Sequence, residues 1–193
     1  MIQEKTVFII PGFRHKPTDK AYKTIANILK SEGYFPIPVT IPWKQTTISE
    51  NTEYFLKKYK KIETKKKYIL GFSFGAMIAF LASTKVKTSG LILCSLSPYF
   101  KEDMTKLRFN KTSNRNKDFT TLNFSRLAKL VKSKRILMLY GTQETKALIH
   151  RTKDAFHKVV SKHKHLIPIQ KTEHNIGDKR YLNTIHQATR ELL

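Results

Sequence analysis

The stretch from Lys66 to Ala82 constrains this chain more than any other. Tyr68, Ile69 and Leu70 form a short apolar run, Gly71-Phe72-Ser73-Phe74-Gly75 interrupts it, and Ala76 to Phe80 opens a helix-like segment. Strand, sharp turn and helix around the pattern G-x-S-x-G make a nucleophile elbow. The serine sits at the tip of a strained turn, with its hydroxyl exposed at the strand's carboxyl end. Gly71 and Gly75 flank it because the two backbones approach too closely there for a Cβ. The helix that follows adds a dipole favouring negative charge on a substrate oxygen.

The rest of the chain alternates strands with helices. Thr6 to Ile10 reads as a buried parallel strand stopped by Pro11-Gly12. Thr18 to Glu32 reads as a helix with Thr18 as N-cap and Gly33 as C-cap. Phe35 to Ile41 is extended, and Pro36 and Pro38 place it at a sheet edge because proline donates nothing to a ladder. Ser49 to Tyr59 is helical, and the lysines from Lys57 to Lys67 read as an exposed helix end and loop. Strands are predicted at Gly90 to Ser95, Arg135 to Tyr140 and Lys164 to Gln170, and helices at Asn123 to Val131, Glu144 to Val160 and Arg180 to Leu193. Phe100 to Thr120 is polar, basic and without periodicity. The pattern predicts an α/β fold: a three-layer α/β/α sandwich about a mostly parallel sheet of about six strands.

Length and composition limit the alternatives. At 193 residues one domain is expected, spanning 1–193. No run approaches the ~18 apolar residues of a membrane span, and Met1 to Lys5 leads directly into a strand, so a cytoplasmic location is expected. Cys94, the only cysteine, lies in an apolar strand and reads as a buried structural thiol. The charge is unusual: 37 basic against 14 acidic residues, a formal +23. Such a field attracts anions, whether nucleic acid, a membrane surface or an acidic protein.

In a parallel sheet every strand's carboxyl end lies on one edge, where ligands bind. The segments after the strands therefore converge on one rim, and they supply a serine, an acid and a histidine in the order Ser73, Glu144, His174. That order, with each residue following its own strand, resembles the α/β-hydrolase superfamily, and most of all its small members without a large cap, since only Phe100 to Thr120 stands where a cap would be inserted. Five of the seven glycines, at 12, 71, 75, 141 and 177, fall at or beside the rim turns.

The resemblance implies a serine esterase. Ser73 is the nucleophile and His174 the base, because an imidazole titrating near neutrality is an efficient proton acceptor. Glu144 orients the histidine, in place of the commoner aspartate, with Asp103 as the alternative acid. The backbone N–H groups of Phe13 and Phe74 form the oxyanion hole. Trp43, Phe72, Tyr99 and Phe100 are candidates for a substrate pocket. No cofactor is implied. His163 and His165 have a spacing that suits a metal, but without a third ligand they read as part of a basic loop. The implied substrate is a small carboxylic ester or thioester. Two alternatives use the charge: an acyl chain carried by acidic acyl carrier protein, or a noncatalytic adaptor binding nucleic acid or anionic surfaces.

Overall fold

The computed structural model describes residues 3–44, 46–104 and 116–192. Among them six strands form one sheet: Gln3–Ile10 (β1), Phe35–Pro38 (β2), Thr64–Phe72 (β3), Gly90–Cys94 (β4), Arg135–Gly141 (β5) and His163–Ile169 (β6). All neighbours pair in parallel, in the order β2-β1-β3-β4-β5-β6. The helices are Lys20–Ser31 (α1), Ile48–Lys61 (α2), Phe74–Lys85 (α3), Phe124–Ala128 (α4), Lys146–Lys158 (α5) and Lys179–Leu192 (α6).

Successive strand residues face opposite sides, and here both sides are apolar, as a sheet covered on two faces requires. Phe8, Ile69, Leu91, Leu93, Ile136 and Met138 pack with α2, α3, α4 and α5. Val7, Ile9, Leu70, Ile92, Leu137 and Leu139 pack with α1 and α6. Helix α3 is buried from Gly75 to Thr84, which is why its sequence is apolar all round rather than striped.

The local signals account for most element ends. Thr47 caps α2 in a reciprocal box with Glu50, the Thr47 hydroxyl accepting the Glu50 N–H at 3.1 Å. β2 lies at the sheet edge, paired only with β1. Gly33 takes φ +77°, which closes the first helix as its residue type suggests. Helix α1 starts two residues later than Thr18, and Asp19 at its N-cap turns its carboxylate back to the Lys16 N–H at 2.9 Å.

Two expectations are corrected. Lys65, Lys66 and Lys67 lie in β3 rather than in a loop, because β1 runs alongside them with Gln3 opposite Thr64 and Lys5 opposite Lys66. His163 and His165 belong to β6 rather than to a basic loop, with Arg135 and Leu137 opposite them. Of the segment Phe100 to Thr120, Lys101–Asp103 is a 3₁₀ turn, and 105–115 lie outside the described residues. No helix among the described residues is long and apolar enough to cross a membrane.

Candidate active site

The turn after β3 has the backbone its sequence demands. Ser73 sits at φ +57°, ψ −119°, a region that non-glycine residues rarely occupy and that costs on the order of 1–3 kcal/mol. The glycines around it allow the contact that holds this strain. A Cβ on Gly71 would lie 2.3 Å from the Gly75 carbonyl oxygen, and one on Gly75 would lie 2.2 Å from that of Ile10. Helix α3 thus starts against the end of β1, which brings the Gly12-Phe13 turn beside Phe74. That turn is closed by the His15 N–H donating to the Gly12 carbonyl at 3.0 Å, with Arg14 at φ +64°.

Ser73, His174 and Glu144 meet at this rim from three separate segments. His174 Nε2 lies 3.0 Å from Ser73 Oγ. On the far side of the ring, Nδ1 lies 3.7 Å from Glu144 Oε1, an ion-pair separation longer than a hydrogen bond. The imidazole stacks on the Phe72 ring with centroids 4.7 Å apart, which fixes its plane. Phe72 in turn meets Tyr181 edge-on at 6.1 Å. The loop carrying His174 reaches this position because Gly141 has no side chain: a Cβ there would lie 2.2 Å from the Thr172 carbonyl oxygen.

Glu144 is held by groups that the sequence reading did not name. Its side chain is fully buried, and Oε1 accepts from the Gly141 N–H at 3.2 Å and from the Ser95 hydroxyl. Having given its one proton to Glu144, Ser95 Oγ accepts the Tyr181 hydroxyl 2.8 Å away. Burial, then the nearby Cys94 and Glu144, pushes the Tyr181 phenol well above its ordinary range, so it stays protonated and able to donate. Glu144 Oε2 has no partner among the described residues. Burial also pushes up the Cys94 thiol, with Glu144 adding to it, and the residue is fully buried. Ser97, 2 % exposed, places its Oγ 3.1 Å from Ser73 Oγ. Ser97 was visible in the sequence only as a residue following β4; Ser95, at φ +53°, and the distant Tyr181 gave no such signal.

The proposed aromatic pocket divides. Phe13, Trp43 and Tyr99 surround Phe74 at ring separations of 5.7, 6.5 and 4.9 Å, and Phe119, which periodicity did not reveal, joins them at 6.1 Å. Phe72 is 1 % exposed and lies under the histidine rather than in a pocket wall. Phe100 is a core residue: it is packed against Phe80 and Phe124 because the 3₁₀ turn directs it inward, and the Arg151 guanidinium lies over its ring.

Asp103 does not join His174. It is engaged in a buried two-point pair with Arg151, Nε to Oδ2 at 3.0 Å and Nη2 to Oδ1 at 2.5 Å, and it accepts the Phe100 N–H at 3.1 Å. Among the described residues no group of three or more His, Cys, Asp or Glu is placed to hold a metal ion.

No protein-family model and no curated protein matches the chain. Solved structures do. Est1E from Butyrivibrio proteoclasticus, solved with ferulic acid bound, is 16% identical, with a TM-score of 0.83 over 97% of this chain and 87% of that one. A putative hydrolase from Agrobacterium vitis is 15% identical, with a TM-score of 0.82 over 98% and 88%. Alpha/beta hydrolase domain-containing protein 10 from mouse is 12% identical, with a TM-score of 0.81 over 97% and 88%.

Proposed function

From the α/β-hydrolase fold that the chain has in common with these proteins, we propose that it is a serine hydrolase of carboxylic esters or thioesters, working through Ser73, His174 and Glu144. The observation that carries this reading is the 3.0 Å contact between Ser73 Oγ, on its strained turn, and His174 Nε2. Ser73 gives its proton to Nε2 as Oγ attacks the carbonyl carbon. Because that proton points at the imidazole, the Ser97 hydroxyl is the donor in the 3.1 Å contact and shares the charge growing on Ser73 Oγ. The N–H groups of Phe13 and Phe74 hold the carbonyl oxygen as it becomes an oxyanion.

The imidazolium so formed, with a proton on each nitrogen, faces the buried Glu144 carboxylate. Its 3.7 Å separation shortens as charge develops, as such contacts do when substrate binds. His174 then returns the proton to the leaving alcohol or thiol, and water activated by the same ring releases the acyl group. The rings of Phe13, Trp43, Phe74 and Tyr99 offer an apolar bed beside the nucleophile, and the fully buried Phe119 packs behind them.

A fluorophosphonate probe combined with p-nitrophenyl acetate and butyrate hydrolysis tests this reading. Wild type is labelled and hydrolyses the esters, and Ser73→Ala does neither. Labelling that survives in Ser73→Ala refutes the assigned nucleophile.

A further inference from the structure

At the opposite edge of the sheet, where the strands begin, lies a cavity of about 520 Å³. Tyr59 and the lysines 65, 67, 87, 132 and 134 line it, and no carboxylate among the described residues does. Its walls are the start of β3 and the turns entering β4 and β5, and the backbone ties them together. Ser89 N–H donates to the Lys67 carbonyl at 2.7 Å, Thr88 N–H to Lys132 at 3.1 Å, and Lys134 N–H to Thr88 at 3.1 Å. The Thr88 hydroxyl, also buried, donates to the Lys67 carbonyl at 2.7 Å. The frame is therefore rigid, and its volume is that of a small-ligand site.

Among the described residues, three of the five ammonium charges in this cavity are uncompensated. Lys65 pairs with Glu4, and Glu63 acts on Lys67 from a neighbouring concavity. The ammonium groups of Lys87, Lys132 and Lys134 have no ion-pair or hydrogen-bond partner among the described residues. Lys67 Nζ donates to the Tyr59 carbonyl at 3.0 Å and lies 4.7 Å from the Tyr59 ring centroid, which leaves two of its three protons unspent. Burial lowers the Lys67 pKa, with Glu63 opposing, so its charge is partly desolvated. Like charges gathered into one concavity repel, and a compact anion carrying several charges relieves that repulsion. Lysine is a point-charge donor suited to phosphate. From β3 to β5 is two strand spacings, about 9.6 Å, more than a single phosphate bridges.

We propose that this cavity is a binding site for an anion bearing two or more phosphate groups. Lys67 in β3 lies six residues before Ser73, which follows the end of that strand, about 20 Å away at 3.3 Å per residue, so a ligand seated here is not attacked by Ser73 and acts as an effector or an anchor. The inference does not depend on the hydrolase reading, and its test measures binding alone.

Titration calorimetry with sodium tripolyphosphate and with orthophosphate tests it. Tripolyphosphate binds wild type with a Kd tighter than about 1 mM, and orthophosphate binds at least ten-fold more weakly, at roughly ten-fold per lost charge-assisted contact. The double variant Lys87→Gln/Lys134→Gln, both sites exposed, loses about a hundred-fold on the same basis. Lys23→Gln/Lys146→Gln removes equal charge elsewhere on the surface and binds as wild type does. No binding of tripolyphosphate, or equal weakening in the two double variants, overturns the proposal. Phosphatidylcholine vesicles carrying a multiply phosphorylated phosphoinositide identify the source. If they retain wild type but not Lys87→Gln/Lys134→Gln, the phosphates belong to a lipid headgroup; if only tripolyphosphate binds, they belong to a free ligand.

Discussion

The proposed mechanism has two candidate carboxylates for its acid, and their surroundings separate them. Glu144 faces His174 across 3.7 Å, while both Asp103 oxygens are taken by Arg151. Glu144→Gln is expected to lower kcat by about a thousand-fold or more, since it removes the charge facing the imidazolium. Asp103→Asn is expected to leave kcat of the folded fraction near wild type but to destabilise the protein by about 1–3 kcal/mol, because the buried Arg151 guanidinium loses its two-point partner and keeps only the Asp154 carboxylate, 2.8 Å from Nη1. Kinetics and urea unfolding on the two variants check both, and the reverse pattern moves the acid to Asp103. At this scale the sequence foretold placement where a motif and the after-strand rule coincide: Ser73, His174 and Glu144 meet at one rim. It was illegible where neither a motif nor the after-strand rule marks the partner. Tyr181 reaches Ser95 across 86 residues, and nothing in either neighbourhood signals the meeting. Phe100 misled because an aromatic after a strand can face either the rim or the core, and the turn that decides this is set by Asp103 and Arg151.

Among the elements, the shortest helix depends on a distant cap. The carboxylate of Glu102 accepts the N–H groups of Phe124 and Ser125, at 2.9 and 3.0 Å, at the start of α4. Burial works to raise the Glu102 pKa, but the donors from Ser125 and Phe124 outweigh it and hold it below the usual 4.5. A depressed carboxylate contributes stability that is present above its ordinary pKa and is lost as pH falls through the folded value. Glu102→Gln is therefore expected to cost about 1 kcal/mol at neutral pH, a fall of roughly 2–4 °C in Tm, and to cost less in acid below the ordinary 4.5, as the Glu102 carboxylate is protonated. Thermal melts at neutral and at acid pH check this. Element type was readable because hydrophobic period and caps agree along most of the chain. The beginning of β3 was not, because lysines at the exposed end of a strand look like loop, and only β1 alongside shows otherwise.

For the whole molecule, buried phenols set the alkaline limit. Burial pushes Tyr34 and Tyr59 up to about 12, and Tyr22 and Tyr181 higher still. The folded state binds these protons more tightly than the unfolded one. The stability they contribute is thus complete below the ordinary value of 10.0 and is lost as pH rises toward 12. Following tyrosinate absorbance and circular dichroism together, we expect this group of phenols to ionise only as the protein unfolds; early ionisation in an intact fold contradicts the assignment. The sheet order has a further consequence for how the chain is made. β1 comes first in the sequence yet ends up between β2 and β3, so during translation its apolar stretch Val7 to Ile10 waits until residue 72 has left the ribosome before both its neighbours exist. Until then the nascent chain carries an apolar strand without its inner partner, a surface open to association with other chains.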